Sequence, residues 1–101
     1  MWMLVMFDLP TKEKEEKQEY QRFRKVLLKE GFIMMQYSVY ARFCGSMERS
    51  DTFLRRIKRA LPPGGQVRVL PVTDCQFGKM EVYYGKTRHP TEKKPEQLSL
   101  F

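Results

Sequence analysis

Residues 1–7 of this 101-residue chain form an unbroken apolar run, Met-Trp-Met-Leu-Val-Met-Phe, and Asp8 ends it. Seven residues are too few to cross a membrane. A short apolar run bounded by a breaker predicts a strand buried on both faces. Asp8 then falls at the strand's end, where a sheet stops covering its own side chains. A carboxylate there can meet solvent, metal or substrate. Pro10 removes a backbone donor and stops further pairing. Thr11 is a candidate cap for the helix that follows.

Residues 12–30 predict that helix. Tyr20, Phe23 and Leu27, joined by Val26, give an apolar stripe at 3–4 spacing. Glu13, Glu15 and Glu16 suit the positive end of the helix dipole, and Arg24, Lys25 and Lys29 the negative end. Gly31 is a natural terminator. Residues 32–43 alternate, with Ile33, Met35, Tyr37, Val39, Ala41 and Phe43 on one face. No Gly, Pro or Asn marks a turn inside them, so they predict one long strand, with any bend near Gln36 to Ser38.

Residues 46–61 predict a second helix capped by Ser46. Its apolar stripe is Ser50, Phe53, Leu54, Ile57, Ala60 and Leu61. Pro62-Pro63-Gly64-Gly65 breaks the chain. Gln66 to Thr73 predicts a strand, which Pro71 assigns to an edge or a bulge. Asp74-Cys75 reads as a short connection and Gln76 to Tyr84 as a further strand. Lys86 to Glu96 is polar and carries Pro90 and Pro95, a composition that does not fold alone. The division is a folded domain over 1–84 and a tail over 85–101. Strand-helix pairs repeated on one sheet predict an α+β, ferredoxin-like sandwich, βαββαβ. That count needs two strands from 32–43.

The formal net charge is +7, which points to an anionic partner, nucleic acid being the commonest. The densest cationic stretch is the outer face of the second helix, with Arg49, Arg55, Arg56 and Arg59 as candidate phosphate contacts. Lys12, Lys14 and Lys17 near the first helix's start join them. Part of this charge is ordinary dipole complementation, and the charged face of the first helix reads as solvated surface. Contacts of this kind position a duplex without reading its sequence. Cys44 and Cys75 are far apart, with no Cys-x-x-Cys and one histidine, His89. That excludes an ordinary zinc site and leaves two buried free thiols in a reducing cytoplasm. The N-terminus has no signal-peptide pattern, and nothing predicts a membrane partner.

Several stretches together resemble the CRISPR-associated protein two family, in the form found beside single-effector systems. These are Phe7-Asp8, Phe23-Arg24-Lys25-Val26-Leu27, Gly31-Phe32, Gln36-Tyr37-Ser38-Val39-Tyr40, and Thr73-Asp74-Cys75-Gln76-Phe77-Gly78-Lys79-Met80. The resemblance covers residues 1 to about 86. It implies a ferredoxin-like fold with 32–43 divided into two strands. It further implies a homodimer in which residues 76–84 cross onto the partner. That dimer would bridge two dimers of the CRISPR-associated protein one integrase and hold double-stranded DNA during spacer acquisition. Asp8 matches the family's proposed metal ligand.

Mg²⁺ prefers oxygen ligands and keeps several waters. Two Asp8 carboxylates meeting on a twofold axis would repel unless a cation lay between them. A metal-dependent endonuclease on RNA or DNA using Asp8 is therefore the second reading, and a toxin-like RNA-cleaving relative the third. Without the resemblance, Asp8 also reads as an Asx-type turn residue before Leu9-Pro10-Thr11. Ser38 reads as a strand serine or a phosphate donor, and Asp74 as a turn residue. Tyr37 and Tyr40 read as core or dimer interface, or as base-stacking groups.

The chain ends on Gln97-Leu98-Ser99-Leu100-Phe101, an apolar group on a polar line. Such a motif docks into a partner's groove. It is similar at every position to the bacterial sliding-clamp-binding pentapeptide, Gln-Leu-Ser/Asp-Leu-Phe. Docking on the integrase or folding back on the chain's own dimer are the rival readings.

Overall fold

A computed structural model describes residues 1–95. The order is β1 (Trp2–Asp8), α1 (Lys14–Lys29), β2 (Ile33–Gln36), β3 (Val39–Phe43), α2 (Met47–Ala60), β4 (Gln66–Val72), α3 (Asp74–Gly78), β5 (Val82–Tyr84) and β6 (Thr87–His89). The first four strands form one antiparallel sheet in the order β2-β3-β1-β4. With α1 and α2 on one face this is the ferredoxin-like sandwich.

The apolar opening run becomes a central strand because both of its faces are covered. Met3, Val5 and Phe7 enter the main core with Tyr20, Phe23 and Leu27 of α1, Phe53 and Ile57 of α2, and Tyr40 of β3. Phe23, Val5 and Leu27 have no exposed surface. Burying each of the larger side chains contributes roughly 2–3 kcal/mol before entropy is counted. Trp2 faces the other way and packs with Ala41 and Phe77, bordered by Leu4, Met35, Phe43, Val72 and Met80.

Residues 32–43 are a hairpin, not one strand. Ser38 makes the turn with φ at +62°, a left-handed conformation that residues other than glycine seldom take. Its carbonyl accepts from the Phe7 backbone N–H at 3.0 Å, so β1 compensates the strain. A register shift between Met34 and Gln36 completes the reversal. Ala41, Phe43 and Met35 lie toward the second face as the alternation predicts, and Val39 shares it by pairing opposite Met6, while Tyr40 lies in the main core. Tyr37 is 78% exposed beside the turn, not core.

The stretch 76–84 is not a continuous strand. Thr73 Oγ1 accepts from the Gln76 N–H, and Gln76 Oε1 accepts from the Thr73 N–H. This reciprocal cap starts α3, and only Val82–Tyr84 is extended. It pairs with Thr87–His89, so the segment after Gly85 also carries structure where the sequence predicts none. Asp74 opens α3 instead of forming a turn, and its carboxylate lies 2.7 Å from the Met1 amine.

The remaining boundaries move less. Thr11 does not cap α1; the Glu16 carboxylate accepts from the Glu13 and Lys12 N–H groups, and the helix starts at Lys14. Ser46 caps α2 through the Arg49 N–H. Gly31 ends α1 at φ +87°. β4 is an edge strand, as Pro71 requires. Cys44 is buried but Cys75 is exposed, which corrects the expectation of two buried thiols. Among the described residues no helix is long and apolar enough to cross a membrane. The pentapeptide Gln97 to Phe101 lies outside the described residues.

Candidate nucleic-acid and metal site

Asp8 is the last residue of β1, pairs with Gln66 across to β4, and is exposed. Strand alternation puts it on the same face as Met6, Leu4 and Trp2, the face away from α1 and α2. Its backbone is fixed from below. Gly65, at φ +80°, packs so closely that a Cβ there would sit 2.6 Å from the Asp8 carbonyl oxygen and 2.7 Å from Leu9 Cδ2. The second glycine of the Pro-Pro-Gly-Gly turn is therefore required by the site as well as by the turn.

A shallow cleft of about 220 Å³ opens at Asp8, lined also by Tyr37, Ser38, Val39, Gln66, Arg68, Met6 and Phe7. Arg68 Nε donates to Gln66 Oε1 at 3.3 Å. Ser38 Oγ lies 3.4 Å from the Tyr20 hydroxyl, so its nearest polar partner is internal. The Tyr20 phenol raises the Tyr37 pKa above its ordinary value, through hydrogen bonding first and charge second.

Asp8 is the one acidic residue lining this cleft. Among the described residues no group of three or more His, Cys, Asp or Glu side chains comes together. A single carboxylate beside an arginine is a poor Mg²⁺ site. The donor set fits the cation only if a second Asp8 carboxylate or a phosphate oxygen joins it.

The predicted cationic residues divide in two on the structure. Arg56 is tied down: Nη1 lies 2.8 Å from Glu30 Oε2, and its guanidinium stands 5.6 Å from the Phe53 ring. Among the described residues the Arg55 guanidinium donates to Thr52 Oγ1. The side chains of Arg49 and Arg59 make no ion pair among the described residues. On α1, Lys14 and Lys17 line a shallow surface with Gln18, Gln21, Arg22 and Lys25, while Lys12 lies exposed before the helix.

Sequence reasoning passed over Lys25 and Arg22 as surface, although positions 14, 17, 18, 21, 22 and 25 repeat at helical spacing. Arg22 is partly structural, since it donates to the Ala60 carbonyl at 3.0 Å and pairs with Glu19. Both cationic groups ride on the two helices that cover one sheet face. Asp8 sits on the other face.

The second face is incompletely covered. Leu70, which pairs with Leu4 and shares its face, is 49% exposed, and Ile33, opposite Ala41, is 47% exposed. A basic α+β domain with cationic helices on one side and a half-open apolar sheet ending in a carboxylate on the other defines the class. The sequence profile described as "CRISPR associated protein Cas2" matches residues 1–80. The chain belongs to that family. It is 50% identical over 101 residues to the "CRISPR-associated endoribonuclease Cas2" of Parvibaculum lavamentivorans, covering the whole of both chains. Proteins of the same name from Flavobacterium psychrophilum and Paracidovorax avenae are each 46% identical over all of this chain, covering 88% and 94% of theirs.

Proposed function

We propose that this chain acts in CRISPR spacer acquisition as a homodimer that bridges integrase dimers and holds duplex DNA by its phosphates. The observation that carries the reading is the half-open apolar sheet face. Leu70 and Ile33 flank Leu4 and Ala41 on it, and half-exposed aliphatic side chains beside a strand edge that is unpaired among the described residues favour burial against a second copy. Two copies joined there carry their α1 and α2 helices outward, and the cations on them face solvent and DNA. Phosphate contact from Arg49, Arg55, Arg59, Lys12, Lys14 and Lys17 positions a duplex without a base code. In the same proposal Val82–Tyr84 leaves its own hairpin with Thr87–His89 and pairs with the partner's β4 edge.

The second reading, a metal-dependent nuclease, is favoured by the endoribonuclease name of the relatives and by Asp8 on the face that would be joined. Two Asp8 carboxylates and a substrate phosphate can hold Mg²⁺, which supplies Lewis-acid polarisation of a phosphoryl oxygen. No second carboxylate lines the cleft of one chain to act as base. Hydrolysis is therefore secondary to scaffolding in this reading.

Light scattering of the eluting protein tests the dimer. The expected mass is about twice 12.1 kDa, and Leu70→Glu shifts it to that of one chain. A wild-type monomer at working concentration that also ignores duplex DNA contradicts the proposal.

A further inference from the structure

Neither the dimer nor the DNA grip uses the last five residues, Gln97-Leu98-Ser99-Leu100-Phe101. Residues 86–96 before them include no large apolar side chain, so nothing there competes for the same partner site. The described chain shows where this segment departs. Lys94 Nζ lies 3.9 Å from Asp74 Oδ2, and the other oxygen of Asp74 holds the Met1 amine at 2.7 Å. Residues 93–95 are exposed. The departure point is thus beside the start of β1, while Asp8 stands at its other end, about 20 Å away at the rise of a strand.

We propose that Gln97–Phe101 is a docking peptide for a bacterial DNA sliding clamp. The order of chemistries is specific. Gln97 offers an amide donor and acceptor. Leu98 supplies one apolar anchor, Ser99 a small polar spacer, and Leu100-Phe101 a contiguous apolar pair. The complementary surface is a cleft with hydrogen-bonding groups at one end and two apolar subsites, separated by a shallow step that only a small residue clears. The aromatic residue fills the deeper subsite and carries much of the binding energy. A single short anchor of this kind binds reversibly, with a dissociation constant on the order of micromolar.

The test uses the full-length protein, a form lacking residues 97–101, and the variant Phe101→Ala. Each is titrated against a purified bacterial sliding clamp by fluorescence anisotropy, with a synthetic Gln-Leu-Ser-Leu-Phe peptide as competitor. Far-ultraviolet circular dichroism and duplex binding are measured on the same samples and are expected to be unchanged. The full chain is expected to bind, Phe101→Ala to bind about tenfold or more weakly, and the shortened chain not to bind. The free peptide is expected to displace the full chain. Equal binding with and without residues 97–101 overturns the proposal, as does no binding by the full chain at about 100 µM. Tail-dependent binding to the integrase with the clamp ignored also overturns it.

Discussion

Trp2 and Phe77 stack face to face, with ring centroids 3.9 Å apart and planes 3° from parallel. The contact fastens the five-residue α3 to the start of β1 and closes one end of the second sheet face. α3 is too short to hold its shape alone, so its position depends on this ring. Phe77→Ala is expected to cost about 3 kcal/mol, with a fall in Tm of more than about 10 °C for a domain of this size. Thermal unfolding by circular dichroism checks it. A fall of less than about 3 °C would show that α3 is held by something else.

Gly65 governs Asp8 through its backbone. Gly65→Ala places a methyl group against the Asp8 carbonyl and Leu9 in a left-handed conformation. The expected cost is about 2 kcal/mol or more. Gly64→Ala, whose nearest neighbour is Pro10 Cγ at 3.9 Å, is expected to cost under about 1 kcal/mol. Urea unfolding of both variants separates them, and equal losses would contradict the close packing at Gly65.

The arginines of α2 are not equivalent. Arg49→Ala and Arg59→Ala are each expected to weaken duplex binding and lower the slope of log affinity against log salt by about one. Arg56→Ala is expected to alter stability more than affinity, because its guanidinium already serves Glu30 and Phe53. Anisotropy titrations between about 50 and 200 mM salt measure this. A salt-independent affinity would remove the phosphate grip from the account.

The two thiols differ in environment and therefore in chemistry. Exposed Cys75 is expected to react at once with a thiol reagent, and buried Cys44 only after unfolding. Burial raises the Cys44 pKa above its ordinary value of 9.0. The folded state then retains a proton that the unfolded chain has lost, so stability from this group is complete below pH 9 and falls as pH rises through the folded value. Denaturant midpoints of the wild type and of Cys44→Ala at pH 8 and pH 10 test the sign. The wild type is expected to lose more between the two.

Much of the sandwich is legible in sequence because its signals are local. The apolar run before Asp8, the Tyr20-Phe23-Leu27 stripe, the Ser46 cap and the Pro-Pro-Gly-Gly break each act within a few residues. The hairpin at Ser38 is not legible, since its strained φ is held by a hydrogen bond to Phe7, a contact distant in sequence. The start of α3 was available in Thr73-Asp74-Cys75-Gln76, a capping-box pattern obscured by the alternation that follows it. Gln66 and Arg68 beside Asp8 depend on the β1–β4 register, which is a tertiary fact. Asp8 itself is legible as an end-of-strand carboxylate, and its family resemblance supplies the metal expectation that one chain's donors leave incomplete.

Spacer integration in a reconstituted reaction tests the central claim most directly. Purified integrase, a short duplex and a repeat-containing plasmid are combined with wild type, Asp8→Ala or Leu70→Glu protein, and integrated products are counted. The account predicts that Asp8→Ala supports integration at close to the wild-type level, while Leu70→Glu, unable to join two copies, supports none. Loss of integration with Asp8→Ala, in a variant that still dimerises and binds duplex, would contradict a scaffolding role and place the chemistry of Asp8 first.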